Sequence, residues 1–107
     1  MDVNIFKELI KAKPNIFEAI LERKDITIGI SKIQGKWPYS EFSSHDFDEI
    51  LIVLEGKVEI EYNDKKKIIK NKGDVEIMKS NIGHKLHNAQ NIPSKVLLIF
   101  PKQQNEK

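Results

Sequence analysis

The chain has 107 residues and no cysteine, and its 18 lysines and arginines nearly balance its 16 aspartates and glutamates. This length fits one domain with its own core, and the lack of cysteine excludes disulfides, thiolate metal sites and cysteine nucleophiles. The main basic cluster, Lys65 to Lys67, has no interleaved aromatic residues, so the sequence argues against a nucleic-acid partner.

The hydropathy pattern does not suggest export or membrane insertion. No apolar run approaches the ~20 residues of a membrane span. The first apolar segment, residues 5–10, is interrupted by Lys7 and Glu8, unlike the core of a signal peptide. The absence of cysteine also fits a reducing compartment. We therefore expect a cytoplasmic protein with no membrane partner.

The N-terminal residues predict a short amphipathic helix that Pro14 closes. The apolar residues at helical spacing are Val3, Phe6, Leu9 and Ile10. After the proline, residues 15–22 favour a strand. We therefore expect residues 1–24 to form a helix and a lead-in strand ahead of the main body of the protein.

From residue 25 the pattern becomes that of β-strands. Isoleucines at positions 26, 28 and 30 alternate with Thr27, Gly29 and Ser31, which predicts a strand with one buried face. Gln34 to Pro38 reads as a loop that carries Trp37.

Two further strands follow in the middle of the chain. The unbroken apolar run from Ile50 to Leu54 must be covered on both faces, by the N-terminal segment, a second sheet or another subunit. Residues 57–62 alternate cleanly, and Asn63 and Asp64 signal a hairpin. Many short strands separated by turn signals predict an all-β sandwich or small barrel over residues 25–101, with a polar tail at 102–107.

The stretch from Ser43 to Gly56 contains the best candidate ligands for a metal. His45 and Glu49 offer an imidazole nitrogen and a carboxylate oxygen, which zinc, iron and manganese sites use repeatedly. On one straight strand they would lie about 13 Å apart, too far for one ion. A turn at residues 46–48 would end a strand over residues 39–45 at His45, start the next strand at Glu49 and bring the two side chains together across the pair. His84 is the candidate third ligand.

These residues resemble the two motifs of the cupin family. In the first motif His45, Glu49 and Gly56 keep the family's spacing, and in the second Gly73, His84 and Asn88 do so. The resemblance covers roughly residues 25–100 and implies a jelly-roll barrel of double-stranded β-helix type. The family's first histidine ligand falls on Ser43, and Lys79 and Asn81 replace a proline and a glycine.

The resemblance implies a divalent metal, iron, manganese, zinc or nickel, bound by His45, Glu49 and His84. Such a site leaves coordination positions open for water or substrate. Asn88 and Asp48 are candidates to orient the ligands, and Glu41 is a candidate substitute ligand or general base. His87 lies three residues after His84 on a strand and is expected at the surface.

The resemblance implies a metal-dependent dioxygenase or sugar isomerase that acts on a small molecule. The alternative is a non-catalytic, degenerate cupin, metal-free or metal-bound, that binds or senses a small ligand. Arg23 is the only arginine and lies outside the proposed site, so a small neutral or weakly polar ligand is favoured. Cupins of this size commonly pair through sheet faces, and we expect a homodimer.

Overall fold

The computed structural model describes residues 3–37 and 42–101, in which one short helix precedes nine strands. The elements are α1 (Ile5–Lys11), β1 (Glu18–Glu22), β2 (Ile26–Ile33), β3 (Lys36–Trp37), β4 (Glu49–Glu55), β5 (Lys57–Tyr62), β6 (Lys67–Asn71), β7 (Val75–Met78), β8 (His84–Asn88) and β9 (Ser94–Pro101). The helix is capped by Asn4, whose side-chain oxygen accepts a hydrogen bond from the backbone N–H of Lys7 at 3.0 Å. No helix in the described part of the chain has the length and apolar character needed to cross a membrane.

The strands form two antiparallel sheets that pack face to face as a jelly-roll barrel. One sheet has the order β1-β2-β9-β4-β7, and the other has the order β3-β8-β5-β6. The predicted all-β barrel with a short N-terminal helix is confirmed. The lead-in strand β1 pairs with β2 and is therefore part of the larger sheet. The predicted tail, residues 102–107, lies outside the described residues.

The core fills the space between the sheets with residues that alternate along each strand. Its members are Ile33, Leu51, Val53, Val58, Ile60, Tyr62, Met78, Leu86, Val96 and Leu98. Strand β5 follows the predicted alternation, with Val58, Ile60 and Tyr62 buried. The predicted hairpin at Asn63 and Asp64 joins β5 to β6.

Strand β2 alternates with the predicted period of two, but the face that bears its smaller residues is the one that points into the barrel. Thr27, Gly29 and Ser31 share the face of the core residue Ile33 and are buried inside the barrel. Ile26, Ile28 and Ile30 face outward, and Ile30 is fully buried there. Since α1 packs against β2, the helix covers part of this outer side.

The outward side of the larger sheet carries two rows of aliphatic side chains, which we call the outer apolar face. The cross-strand registers align Ile28, Ile99, Ile50 and Ile77 in one row and Ile30, Leu97, Ile52 and Val75 in the next. Ile77 and Val75 are about half exposed. The second sheet therefore covers only one side of the apolar run in β4.

The segment before β4 differs from the sequence prediction. Trp37 lies in the short strand β3, paired with Leu86, and not in a loop. Within the predicted strand over residues 39–45, Ser43 forms a single bridge to His84, and residues 38–41 lie outside the described part. The chain then crosses from the smaller sheet to the larger one, so His45 is on a crossing segment and not on a strand paired with β4.

Candidate metal centre

The candidate ligands lie at one end of the barrel, where two loops cross between the sheets and are joined by backbone hydrogen bonds. Ser43 and His84 exchange N–H to carbonyl hydrogen bonds of 3.0 and 2.8 Å. The Asn81 N–H donates to the His45 carbonyl at 2.6 Å. Asn81 has φ +64°, a left-handed conformation that asparagine tolerates better than most residues. These bonds fix the backbones of both histidines.

Asp48 strengthens the same junction. Its Oδ1 accepts a hydrogen bond from the Ser80 N–H at 2.8 Å, which ties the residue before Glu49 to the loop before His84. Asp48 therefore caps a turn and holds the two loops together. Through this bond it supports the backbones that carry the candidate ligands, which it was predicted to orient.

The three predicted ligand residues come together at this junction. Glu49 Oε1 lies 3.7 Å from His45 Nε2 and 3.8 Å from His84 Nε2. One ligand atom from each residue lies within 4.8 Å of the others. Two atoms bound at about 2.1 Å to one ion are separated by about 3.0 Å at a right angle and about 3.4 Å at the tetrahedral angle. Side-chain movements of a few tenths of an ångström would bring the Glu49 contacts to such distances.

Glu49 is the strongest sign that these residues fit a cation. Its side chain is buried, and Oε1 has no hydrogen-bond partner among the described residues. A buried carboxylate oxygen without a partner is costly, and a bound cation would remove that cost. Burial also raises the pKa of Glu49 to about 7. Burial lowers the pKa of His84, which favours the neutral ring that a metal requires.

The side chain of His45 is 39% exposed, and aromatic stacking holds its ring in place. Its ring lies parallel to that of Phe47 at a centroid distance of 4.9 Å, and Phe47 in turn stacks on Phe100 at 5.2 Å. Phe100 contacts Phe17 at 5.3 Å. Sequence reasoning missed Phe47, although its place between the two candidate ligands was a signal.

Other predicted site residues fall in different places. Ser43 lies beside the ligands, with Oγ 3.5 Å from His45 Nε2. Asn88 donates to the carbonyls of Gln90 and Ile92 and accepts from the Ser94 hydroxyl at 2.6 Å, so it supports a distant loop and not His84. Although His84 and Asn88 share a face, they begin and end β8, about 13 Å apart.

Two residues named from the sequence do not contribute to the described site. His87 is paired with Glu61 at 2.9 Å on the outside of the smaller sheet. This agrees with its predicted outward direction, although the ring is partly covered. Glu41 lies outside the described residues.

A cavity of about 260 Å³ opens beside the three candidate ligands. Apart from the polar cluster of Ser43, His45, Glu49 and His84, its lining is apolar. The apolar lining residues are Phe17, Trp37, Met78, Leu86, Leu98 and Phe100. No lysine or arginine of the described ranges lines it. The arrangement can therefore hold a metal at one side of a small hydrophobic chamber.

Comparison with known proteins agrees with this architecture. The family model for the cupin domain matches residues 29–100. No curated protein matches the sequence. Among solved structures, a protein from Neisseria meningitidis superposes with a TM-score of 0.81 at 16% identity, covering 95% of this chain and all of that one.

Two other solved structures extend the comparison. A cupin-2 domain protein from Shewanella frigidimarina gives a TM-score of 0.79 at 22% identity, and the match covers 94% of each chain. A hydroquinone 1,2-dioxygenase in complex with Cd²⁺ and 4-hydroxybenzonitrile gives 0.78 at 16% identity, covering 94% of this chain and 72% of the other. At these identities the superpositions show the fold.

Proposed function

The chain belongs to the cupin-domain family, and from that premise we propose that it binds a divalent metal through His45, Glu49 and His84 and a small molecule in the adjoining cavity. Iron, manganese, zinc and nickel all suit two imidazoles and one carboxylate. The observation that carries the proposal is the buried Glu49 Oε1, which lacks a hydrogen-bond partner in the described chain and lies between two histidine nitrogens.

As an enzyme, the protein is best described as a metal-dependent dioxygenase. The metal would supply Lewis-acid or oxygen-activating chemistry. The three candidate ligand residues would hold it, and the apolar lining of the cavity would exclude bulk water from the substrate. A sugar isomerase fits less well because the hydroxyl groups of a sugar need polar partners, which this cavity offers only on one side. The structurally similar hydroquinone 1,2-dioxygenase adds support to the choice.

The alternative function is a non-catalytic cupin that binds or senses a small ligand. Ser43 favours it, because a serine stands where the family motif has a histidine ligand and its hydroxyl is a poorer donor to a metal. Both functions use the same cavity. They differ in whether oxygen is consumed.

Oxygen uptake with a defined probe separates the two functions. We expect Fe²⁺-loaded protein to consume oxygen in the presence of hydroquinone at least about tenfold faster than the Glu49→Gln variant, because the amide is a weaker ligand than the carboxylate. The matched control is Glu59→Gln, which changes a glutamate on the outward side of β5. It should retain the wild-type rate. Equal rates in wild type and Glu49→Gln would contradict the dioxygenase and favour the binding protein.

We also propose that the protein is a homodimer paired through the outer apolar face. The two rows that define this face contain eight aliphatic residues and no charged one, and all of them except the fully buried Ile30 are at least partly exposed. A second copy can therefore lie on it without bringing like charges together. Monomeric proteins rarely leave a contiguous apolar surface of this kind in water. The opposite side of the barrel is unsuitable because β5 presents Lys57, Glu59 and Glu61 there.

Light scattering at micromolar concentration tests the dimer. Wild-type protein should have twice the monomer mass, and Ile52→Lys should be monomeric because it places a charge in the middle of the outer apolar face. Ile69→Lys is the matched control, since Ile69 is a half-exposed isoleucine on the outward side of β6. This variant should remain dimeric. A monomeric wild-type protein would contradict the proposal.

A further inference from the structure

The cavity beside the candidate ligands has three aromatic residues, Phe17, Trp37 and Phe100, which we call the aromatic wall. Phe17 does not belong to a strand of the barrel but lies over the inward face of β2. A Cβ atom at Gly29 would overlap its ring. The absence of a side chain at Gly29 is therefore what allows the ring to occupy this position.

The segment that carries Phe17 is fixed to the barrel. Asn15 has φ +59°, and its backbone N–H donates to the Lys32 carbonyl at 2.7 Å. Its side chain donates to the Gln34 carbonyl at 2.7 Å and accepts from the Gln34 N–H at 3.0 Å. These three bonds join the segment to the end of β2. The aromatic wall is thus a built part of the cavity.

The size and charge of the cavity restrict what it can hold. A cavity of about 150 Å³ accommodates benzene, so about 260 Å³ has room for one ring with small substituents. The polar groups are all on one side, around Glu49, and the described lining contains no cationic residue. A ligand with a charge at its far end would lose its hydration and gain no partner.

We propose that the cavity binds a small phenol whose far end is uncharged, with its ring against the aromatic wall and its hydroxyl group toward the metal centre. The inference rests on the proposed metal function of His45, Glu49 and His84. Aromatic side chains favour a flat ring over a puckered one because of offset and edge contacts between rings. The hydroxyl oxygen suits an open coordination position, and Ser43 Oγ is a neighbouring hydrogen-bonding group.

Calorimetric titration of Zn²⁺-loaded protein with three probes tests the inference. Zinc avoids oxidation of the probes. The probes are 4-methylphenol, 4-methylcyclohexanol, which keeps the hydroxyl but loses the flat ring, and 4-hydroxybenzoate, which adds a charge at the far end. We expect 4-methylphenol to bind about tenfold more tightly than either of the others. Equal affinities for 4-methylphenol and 4-methylcyclohexanol, or tighter binding of 4-hydroxybenzoate, would overturn the proposal.

Variants of the aromatic wall provide a second test of the proposal. Trp37→Leu and Phe17→Leu should each reduce the preference for 4-methylphenol over 4-methylcyclohexanol severalfold, with the zinc stoichiometry unchanged. Phe6→Leu is the control, because Phe6 is half exposed on α1. An undiminished preference in both wall variants would overturn the proposal. Zinc stoichiometry is measured first, and failure to bind zinc refutes the metal site. Zinc binding without a preference for 4-methylphenol refutes only the proposed phenol ligand.

Discussion

Replacement of His84 by alanine should abolish stoichiometric metal binding. His84 is one of three candidate ligands among the described residues, and Ser43 stands where the family motif has a further histidine. Loss of a residue that merely supports a ligand costs about 10- to 100-fold in metal affinity. Loss of a direct ligand from a three-residue site should cost more than about 100-fold. Plasma mass spectrometry of protein purified without a histidine tag measures the metal content directly.

The matched control is His87→Ala. Both histidines lie on β8, but His87 points outward and pairs with Glu61. The control should therefore keep the wild-type metal content, including after incubation with Fe²⁺, Mn²⁺, Zn²⁺ or Ni²⁺. If neither variant changes the metal content, or if the wild-type protein stays metal-free in all four ions, the site is not a metal centre.

In the metal-free protein, the contribution of Glu49 to stability should be lost as the pH rises from about 4.5 to above 7. Burial raises the pKa of this side chain from 4.5 to about 7 in the folded protein. Glu49 therefore binds its proton more tightly in the folded state. Its stabilising contribution is complete below pH 4.5 and is lost as the pH passes through 7. At 1.36 kcal/mol per pKa unit, the loss in unfolding free energy is about 3 kcal/mol.

Urea denaturation of metal-free wild type and Glu49→Gln between pH 4.5 and 8.5 tests this. Glutamine does not titrate, so the difference in unfolding free energy between the two proteins should change by about 3 kcal/mol across this range, with the variant gaining relative stability at high pH. Saturating Zn²⁺ should stabilise the wild type, and it should therefore reduce the relative stability that the variant gains at high pH. A pH-independent difference would contradict the assignment of a raised pKa to Glu49.

The fold and the three candidate ligands were accessible from the sequence through patterns that are each local. Alternation in β5 predicted which residues are buried, and the spacing within the two motifs that resemble the cupin family indicated His45, Glu49 and His84, which the structure brings together. The chain bends at residues 46 and 47, where a turn was expected. The crossing between the two sheets at this point was not predicted, because a crossing leaves no periodic signal in the sequence.

Features that depend on distant contacts were not predictable. On the inward side of β2, Gly29 leaves room for Phe17, which comes from outside the strand. Hydropathy alone would place the isoleucines inside. Asn88 was assigned to the correct face of β8, but a shared face does not specify position along the strand. The structure places it near Ser94, where it supports the loop before β9.

The arrangement of the ligands at the crossing loops also has a mechanical consequence. Glu49 begins a strand of the larger sheet, His84 begins a strand of the smaller one, and His45 lies on the segment between them. Coordination of one ion would therefore cross-link the two sheets at this end and close the long chain segment between the two histidines. Such a cross-link limits the conformations of the unfolded chain much as a disulfide does. A protein without cysteine would in this way gain a reversible cross-link whose contribution to stability depends on the concentration of metal.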